Sequence, residues 1–180
     1  MRIRCSTEAD LNEISKIHLA AFGQEEGPEI AELVNALLED ATAEPLLSLV
    51  AESGGSLAGH ILFTSANLLP GGEPSIQILA PLAVFPGFQN AGVGGALIRD
   101  GLDRLAKSGV DLVFVLGHPG YYPKYGFQRA GVLGFAAPHP ILPRNADAWM
   151  VQELGGGAID KFGGTVNCSD VLNQPQYWQE

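Results

Sequence analysis

Two clusters of residues have the types and spacing to do chemistry. One is a glycine-rich run, Gln89-Asn90-Ala91-Gly92-Val93-Gly94-Gly95, between an apolar stretch and an amphipathic one. The other is a group of three tyrosines, Tyr121, Tyr122 and Tyr125, ahead of Gly126-Phe127. The start of a helix leaves backbone N–H groups unpaired and carries partial positive charge. Glycines there admit a ligand close to the backbone, and together they make an anion cradle. A phenol, for its part, can hand a proton to a leaving group. Three spacings compete for the glycines. A P-loop needs Lys and Ser/Thr where Val93 and Gly94 stand, so its phosphate and magnesium chemistry is missing. A dinucleotide fingerprint starts with Gly92-Val93-Gly94 and fails at Leu97, where Gly or Ala belongs. The pattern Gln/Arg-x-x-Gly-x-Gly/Ala is met without exception by Gln89 to Gly94.

Particular elements must position these clusters. Leu11, Ile14, Ile17 and Ala21 fall at helical spacing after Ser6 and Thr7 and predict a first helix. The run FGQEEGP breaks it. Pro28 suits the first turn of a second helix, whose buried stripe is Ile30, Leu33, Val34, Leu37 and Leu38. LLSLVAES and LAGHILFTSANL read as strands joined by a tight turn, SIQILAPLAVF as a third long strand, and Arg2 to Arg4 as a short first one. Val93, Leu97, Ile98, Leu102 and Leu105 mark a helix that Gly109 is placed to stop. VDLVFVL is a continuous apolar strand of the kind buried on both faces. A helix between two such strands is a βαβ crossover, so they should run parallel. HPGYYPKYGF follows as a loop and short helix, and DAWMVQEL is the clearest strand of the Gly/Pro-rich last third. With no internal repeat, linker or composition shift, residues 1–180 read as a single domain.

The bulk composition bounds the function. The chain has 180 residues, 46% of them hydrophobic and 17% charged, which describes a globular protein. A formal charge of −10 argues against nucleic-acid binding, which wants a basic face. The same acidity suits a cationic substrate such as an amine, and also simple solubility. Cys5 and Cys168 lack metal-type spacing, so no metal site is expected. The N-terminal run MRIRCSTEAD has no signal core and no stretch is apolar enough to span a bilayer, so the expectation is a cytoplasmic protein with free thiols and no membrane partner.

The stretch LAPLAVFPGFQNAGVGGALI resembles motif A of the GNAT superfamily, the acyl-CoA-dependent N-acetyltransferases. GHPGYYPKYGFQRAG is similar to the superfamily's motif B, in which a tyrosine precedes a Gly-Phe pair on a short helix. The resemblance runs from the first helix to about Arg129, and the tail beyond it matches loosely. It implies an α/β fold with a central mixed, mostly antiparallel sheet, one splayed parallel strand pair and helices on both faces. It also implies acetyl-CoA as co-substrate, no metal, and an amine of a small molecule or peptide as acceptor. A homodimer is compatible with it. Gln89, Asn90, Ala91, Gly92, Val93, Gly94 and Gly95 would then cradle the diphosphate, although Asn90 and Ala91 stand where a basic or glycine residue is common. Pro81 cannot donate to a ladder and belongs at an edge or a bulge. The resemblance implies a bulge that opens the strand to the pantetheine arm, which would pair with Leu82, Ala83 and Val84.

In the same resemblance Tyr122 aligns with the tyrosine that protonates the leaving thiolate. Helical spacing puts Tyr121 and Tyr125 on one face and Tyr122 on another, and Phe127 reads as a core plug. An attacking ammonium must first lose a proton, its pKa being about 10.4. Glu25, Glu26 and Glu29, at the break between the first two helices, border the acceptor pocket in this family and are candidates to bind the amine. His118, just after the buried strand, is another. His18 and His60 read as structural or surface residues, and no general base is assigned. The chemistry implied is direct transfer to the bound amine. The rival reading is a non-catalytic acyl-CoA-binding module, which would need the cradle but neither Tyr122 nor an acceptor pocket.

Overall fold

The computed structural model describes residues 1–69, 71 and 73–179. In chain order it runs β1 (Arg2–Cys5), α1 (Leu11–Glu39), β2 (Leu47–Ser53), β3 (Ser56–Leu68), β4 (Ile76–Val84), α2 (Val93–Lys107), β5 (Leu112–Leu116), β6 (Gln128–Arg129), β7 (Phe135–Ala136), β8 (Trp149–Glu153), α3 (Ala158–Lys161) and β9 (Gly164–Asn167). The sheet order is β1-β2-β3-β4-β5-β8-β6, and β9 joins the far end of β3 and pairs with β7. Within the main order only β4 and β5 are parallel, as the crossover through α2 requires. The expected mixed, mostly antiparallel sheet is the one found.

Strand alternation explains why these runs are apolar on every residue. Leu62, Ile78, Phe114 and Val151 turn to one face and pack with Leu33 and Leu37 of α1. Their neighbours Ile61, Phe63, Leu79, Val113 and Met150 turn to the other and pack with Leu97, Ile98 and Leu102 of α2. A strand covered by a helix on each face has no polar side left to show. Gly101 sits inside α2, where Ala would be favoured by about 1 kcal/mol. The Phe63 ring holds that space: a Cβ on Gly101 would lie 2.6 Å from its Cζ.

Both expected N-terminal helices form, within one helical run that Gly23 breaks at φ 79 and ψ −175. The two arms fold back on each other. A Cβ on Gly27 would lie 2.8 Å from the Leu19 carbonyl oxygen, the Asn35 amide donates to the Ser15 hydroxyl at 3.4 Å, and Ile14 packs with Val34. Pro28 is not the first-turn residue that its chemistry suggested. The second arm resumes directly after Gly23, so Pro28 falls in its second turn.

The main sheet shifts register at two places: beside the β2–β3 turn, at Ala51–Glu52, and in β4 at Pro81, where an edge or a bulge was expected. Ile61 pairs with Leu82 but Phe63 pairs with Leu79, so Ala80 and Pro81 together oppose the single residue Leu62. That is a β-bulge. The pairing of β4 with β5 stops at Leu79–Val115, and beyond it the two strands separate.

Behind β4 a buried polar chain ties α1 to the sheet. His18 Nε2 lies 2.8 Å from His60 Nδ1, His60 Nε2 lies 2.8 Å from the Ser48 hydroxyl, and the Ser6 hydroxyl donates to Ser48 at 2.6 Å. Both rings are fully buried. Burial pushes His18 down to about 4 and His60 well below the usual range, so both stay neutral. In the unfolded chain each titrates near 6.5 and takes up its proton first, so stability falls as pH drops from there toward 4. Asp10, held at about 2 by its hydrogen bond from Arg4, titrates below that window. Urea unfolding at about pH 5 should show lower stability than at about pH 7.5, by up to about 1.4 kcal/mol per pH unit for each ring. His60→Gln should flatten that dependence, and an unchanged slope in the variant would place its source elsewhere.

Candidate active site

The glycine-rich run builds a cradle at the start of α2. A turn at Pro86–Phe88 reverses the chain after β4, and the Gln89 amide donates back to the Val84 carbonyl at 3.0 Å. Asn90 (φ 61) and Gly92 (φ 83) take left-handed conformations, which aim the run at the helix axis. Gln89, Asn90, Gly92, Val93, Gly94 and Gly95 border a cavity of about 420 Å³, together with Leu82, Ala83 and Val84. Ala91 does not border it. The bare glycines are required by what lies over them: a Cβ on Gly94 would sit 2.6 Å from the Tyr121 hydroxyl, and one on Gly95 equally close to that of Tyr125. As the spacing predicted, these two tyrosines share one side of the short helix Tyr122–Tyr125 and its cap.

Sequence reasoning missed the charge at this cradle. Arg99 lies 5.1 Å from the centroid of the Tyr125 ring, and Lys124 lies 5.5 Å from that of Tyr121. Arg99 stands one turn beyond Gly95, and that i, i+4 relation was the available signal.

The open edge of β4 supplies unpaired backbone. The Phe85 N–H donates to the Ala58 carbonyl at 2.8 Å. Backbone groups alternate along an antiparallel ladder, so Ala83, two residues earlier, also turns its own toward β3. Leu82 and Val84 turn theirs the other way, into the gap left by β5.

A second cavity, of about 660 Å³, lies on the α1 side of that gap. Its walls come from α1, the bulge of β4, the end of β5 and the C-terminal segment, and Phe22, Leu82 and Tyr121 border both cavities. Glu26, Glu29, His118 and Tyr122 are brought to it, whereas Glu25 is not. Tyr122 is 9% exposed, its N–H donates to the His118 carbonyl at 3.4 Å, and its hydroxyl makes no hydrogen bond among the described residues. Its ring packs edge-on against Tyr121 and Phe127, the latter a core residue as expected. Burial raises its phenol well above the usual range, so it holds its proton through neutral pH. His118 Nδ1 accepts the Gly120 N–H at 3.0 Å, which leaves the ring hydrogen on Nε2 in the neutral form. In that state its free nitrogen donates rather than accepts. Leu172, Gln176, Tyr177 and Trp178 also line this cavity. Their run shows no helical or strand period, and Trp178 among polar neighbours was its one signal. Among the described residues no cluster of His, Cys, Asp or Glu could hold a metal ion, and no helix is long and apolar enough to cross a membrane.

This arrangement has known counterparts. Residues 2–130 match the family model of the acetyltransferase (GNAT) domain, and the chain belongs to that family of N-acetyltransferases. It is 44% identical over 167 residues to the uncharacterized N-acetyltransferase YjhQ of Escherichia coli (strain K12), covering 91% of this chain and 89% of that one. It resembles the crystal structure of the GNAT family N-acetyltransferase YhbS from Escherichia coli in complex with CoA at a TM-score of 0.84 and 28% identity, over 96% of this chain and 92% of that one. A GNAT family acetyltransferase from Brucella melitensis in complex with acetyl-CoA matches at a TM-score of 0.75 and 30% identity, over 95% and 97%.

The position of Tyr122 depends on Gly117, at the end of β5. A Cβ there would fall within 2.9 Å of the ring's Cδ2. Gly117→Ala should therefore cost about 1–3 kcal/mol in denaturant unfolding, as overpacking does. A variant as stable as the parent would mean that the ring is free to move aside.

Proposed function

We propose that the chain, acting over residues 1–180 as one catalytic unit, transfers the acetyl group of acetyl-CoA directly to a primary amine. The observation that carries this is the meeting of two cavities at Phe22, Leu82 and Tyr121, one built for a polyanion and the other acid-walled. The walls of the larger one run from residue 22 to residue 178, which supports a single unit. A module that only bound the acyl carrier would give this cavity and Tyr122 no task.

When bound, acetyl-CoA supplies a thioester carbonyl. The N–H groups at the start of α2, with Arg99 and Lys124 nearby, hold the diphosphate. Leu82 and Val84 offer their amides to the pantetheine arm and to the charge that develops on the carbonyl oxygen. Glu26 and Glu29 draw the amine toward the meeting point. Tyr122 donates to the departing sulfur. Its raised pKa lies above that of a thiol, near 8.5, so its contribution is a hydrogen bond that strengthens as charge builds, with the proton following. Tyr121 borders both cavities and is the one other phenol placed to do this. Direct attack is favoured because neither cysteine borders either of these two cavities, and burial pushes the Cys168 thiol up to about 12.

Calorimetry with CoA should show at least about tenfold weaker binding to Gly94→Glu, with the fold checked by circular dichroism, and wild-type affinity there would remove the cradle from the proposal. Tyr122→Phe should lower the chemical step, read before steady state, by about 10²–10⁴-fold while CoA affinity holds. Tyr125→Phe should cost far less. A loss confined to Tyr121→Phe would move the role to Tyr121. Enzyme mixed with acetyl-CoA alone should release no stoichiometric burst of CoA, and such a burst would replace direct attack with an acetylated enzyme.

A further inference from the structure

The larger cavity is polarised along α1. Phe22, just before the break at Gly23, stands at the junction with the cradle; on the second arm Glu26 comes first, Glu29 and Ile30 about one turn later, and Leu33 beyond them. The far end is closed by Leu33, Leu172 and Trp178, all buried in the main core, with Gln176 and Tyr177 as the polar members of the same wall. No Lys or Arg borders the cavity, and neither glutamate is paired with a cation among the described residues. Tyr122, nine-tenths buried and with no side-chain hydrogen bond among the described residues, stands at the same cavity. The negative end therefore adjoins the reacting centre, and the distal end is mainly apolar.

The distal wall is fixed. The Trp178 indole N–H donates to the Leu172 carbonyl at 3.0 Å, and its ring packs 5.7 Å from that of Trp149. The Val171 N–H donates to the Asp40 carboxylate at 3.0 Å and the Asp170 N–H to the Thr42 hydroxyl at 2.9 Å, tying the segment to the end of α1. A long peptide would have to displace this wall. A polyhydroxylated aminosugar would find only the Gln176 amide and the Tyr177 phenol at that end and would leave further hydroxyls unpaired against Leu33, Leu172 and Trp178. A second ammonium pushed past Glu29 and Tyr177 would be buried among those three apolar side chains without a partner.

We propose that the acceptor is a small primary amine with a single ammonium and an apolar body, of the arylalkylamine or alkylamine class, bound with its nitrogen toward Glu26 and its body toward Leu33. The distance from Glu26 to Leu33, seven helical residues, sets the body's length at about 10 Å. The inference rests on the acyl-transfer reading. In the reaction the bound ammonium first gives one proton to solvent; the amine nitrogen then bonds to the acetyl carbon, the carbon–sulfur bond breaks, and a second proton leaves nitrogen while sulfur takes one up.

The test compares phenethylamine, hexamethylenediamine, glucosamine and trialanine, each by calorimetry on the CoA-loaded protein and by CoA release from acetyl-CoA. Phenethylamine should bind most tightly and show kcat/KM at least about tenfold above the other three. Glu26→Gln should raise its KM several-fold with a smaller change in kcat. Ile30→Glu, at a half-buried position, adds a carboxylate toward the apolar end and should shift preference to hexamethylenediamine. Faster acetylation of the diamine, the aminosugar or the peptide by the parent protein would overturn the proposal and leave acyl transfer standing. Binding of CoA but of none of the amines would also overturn it. Failure to bind CoA at all would instead be failure of the underlying reading.

Discussion

One extra residue in β4 is what the rest of the site depends on. Two residues, Ala80 and Pro81, face Leu62 alone, and from that point β4 stays with β3 while β5 departs. A regular parallel pair would have consumed every amide of β4 in the ladder. The bulge instead leaves Leu82 and Val84 with backbone groups that no strand satisfies. Buried unpaired amides cost on the order of 1–3 kcal/mol each, so such an edge persists where a ligand or water takes the strand's place. Pro81 suits the spot for a simple reason: it has no N–H to lose.

The two cavities are the two sides of that split, and the side chains around it act in relation to each other. Tyr121 and Tyr125 lie over Gly94 and Gly95, so the bare backbone of α2 and the aromatic cover require one another. Arg99 and Lys124 stack on those same rings, which places the cations beside the cradle, and among the described residues neither is paired with a carboxylate. Tyr122, next in sequence, turns the opposite way and fills the space left by Gly117. One turn of chain thus covers the cradle with one face and borders the second cavity with the other.

Most of this was legible in the sequence because it rests on local rules. The parallel pair followed from two apolar strands around an amphipathic helix and the division of the tyrosines from helical spacing, while the proline marked an edge or a bulge and the family resemblance chose the bulge. Pro28 misled because the left-handed Gly23, five residues earlier, already ends the first arm, and a helix can restart directly after such a break. The wall made by Leu172, Gln176, Tyr177 and Trp178 was hidden for a different reason. It is held by tertiary contacts, Trp178 on Trp149 and Val171 on Asp40, and nothing in its own spacing encodes those partners. Arg99 escaped notice because basic charge was sought within the glycine run, while the helix delivers it from one turn further on.

Charge gives the arrangement its direction. The chain as a whole carries −10, a field that repels a polyanion and attracts a cation. On the proposed reading, a cradle for diphosphate in such a protein has to be locally exempt, and the helix start with Arg99 and Lys124 near it offers that exemption. The neighbouring cavity, with Glu26 and Glu29 and no Lys or Arg, needs none, since the global and local fields there have the same sign. Fields of opposite sign across a boundary of three shared residues sort two ligands of opposite charge without a moving part. On the proposed reading, an ammonium drawn to Glu26 stays off the cradle, a diphosphate held at Gly94 stays out of the acid-walled cavity, and only their uncharged ends, a thioester and an amine that has given up its proton, meet between Phe22, Leu82 and Tyr121.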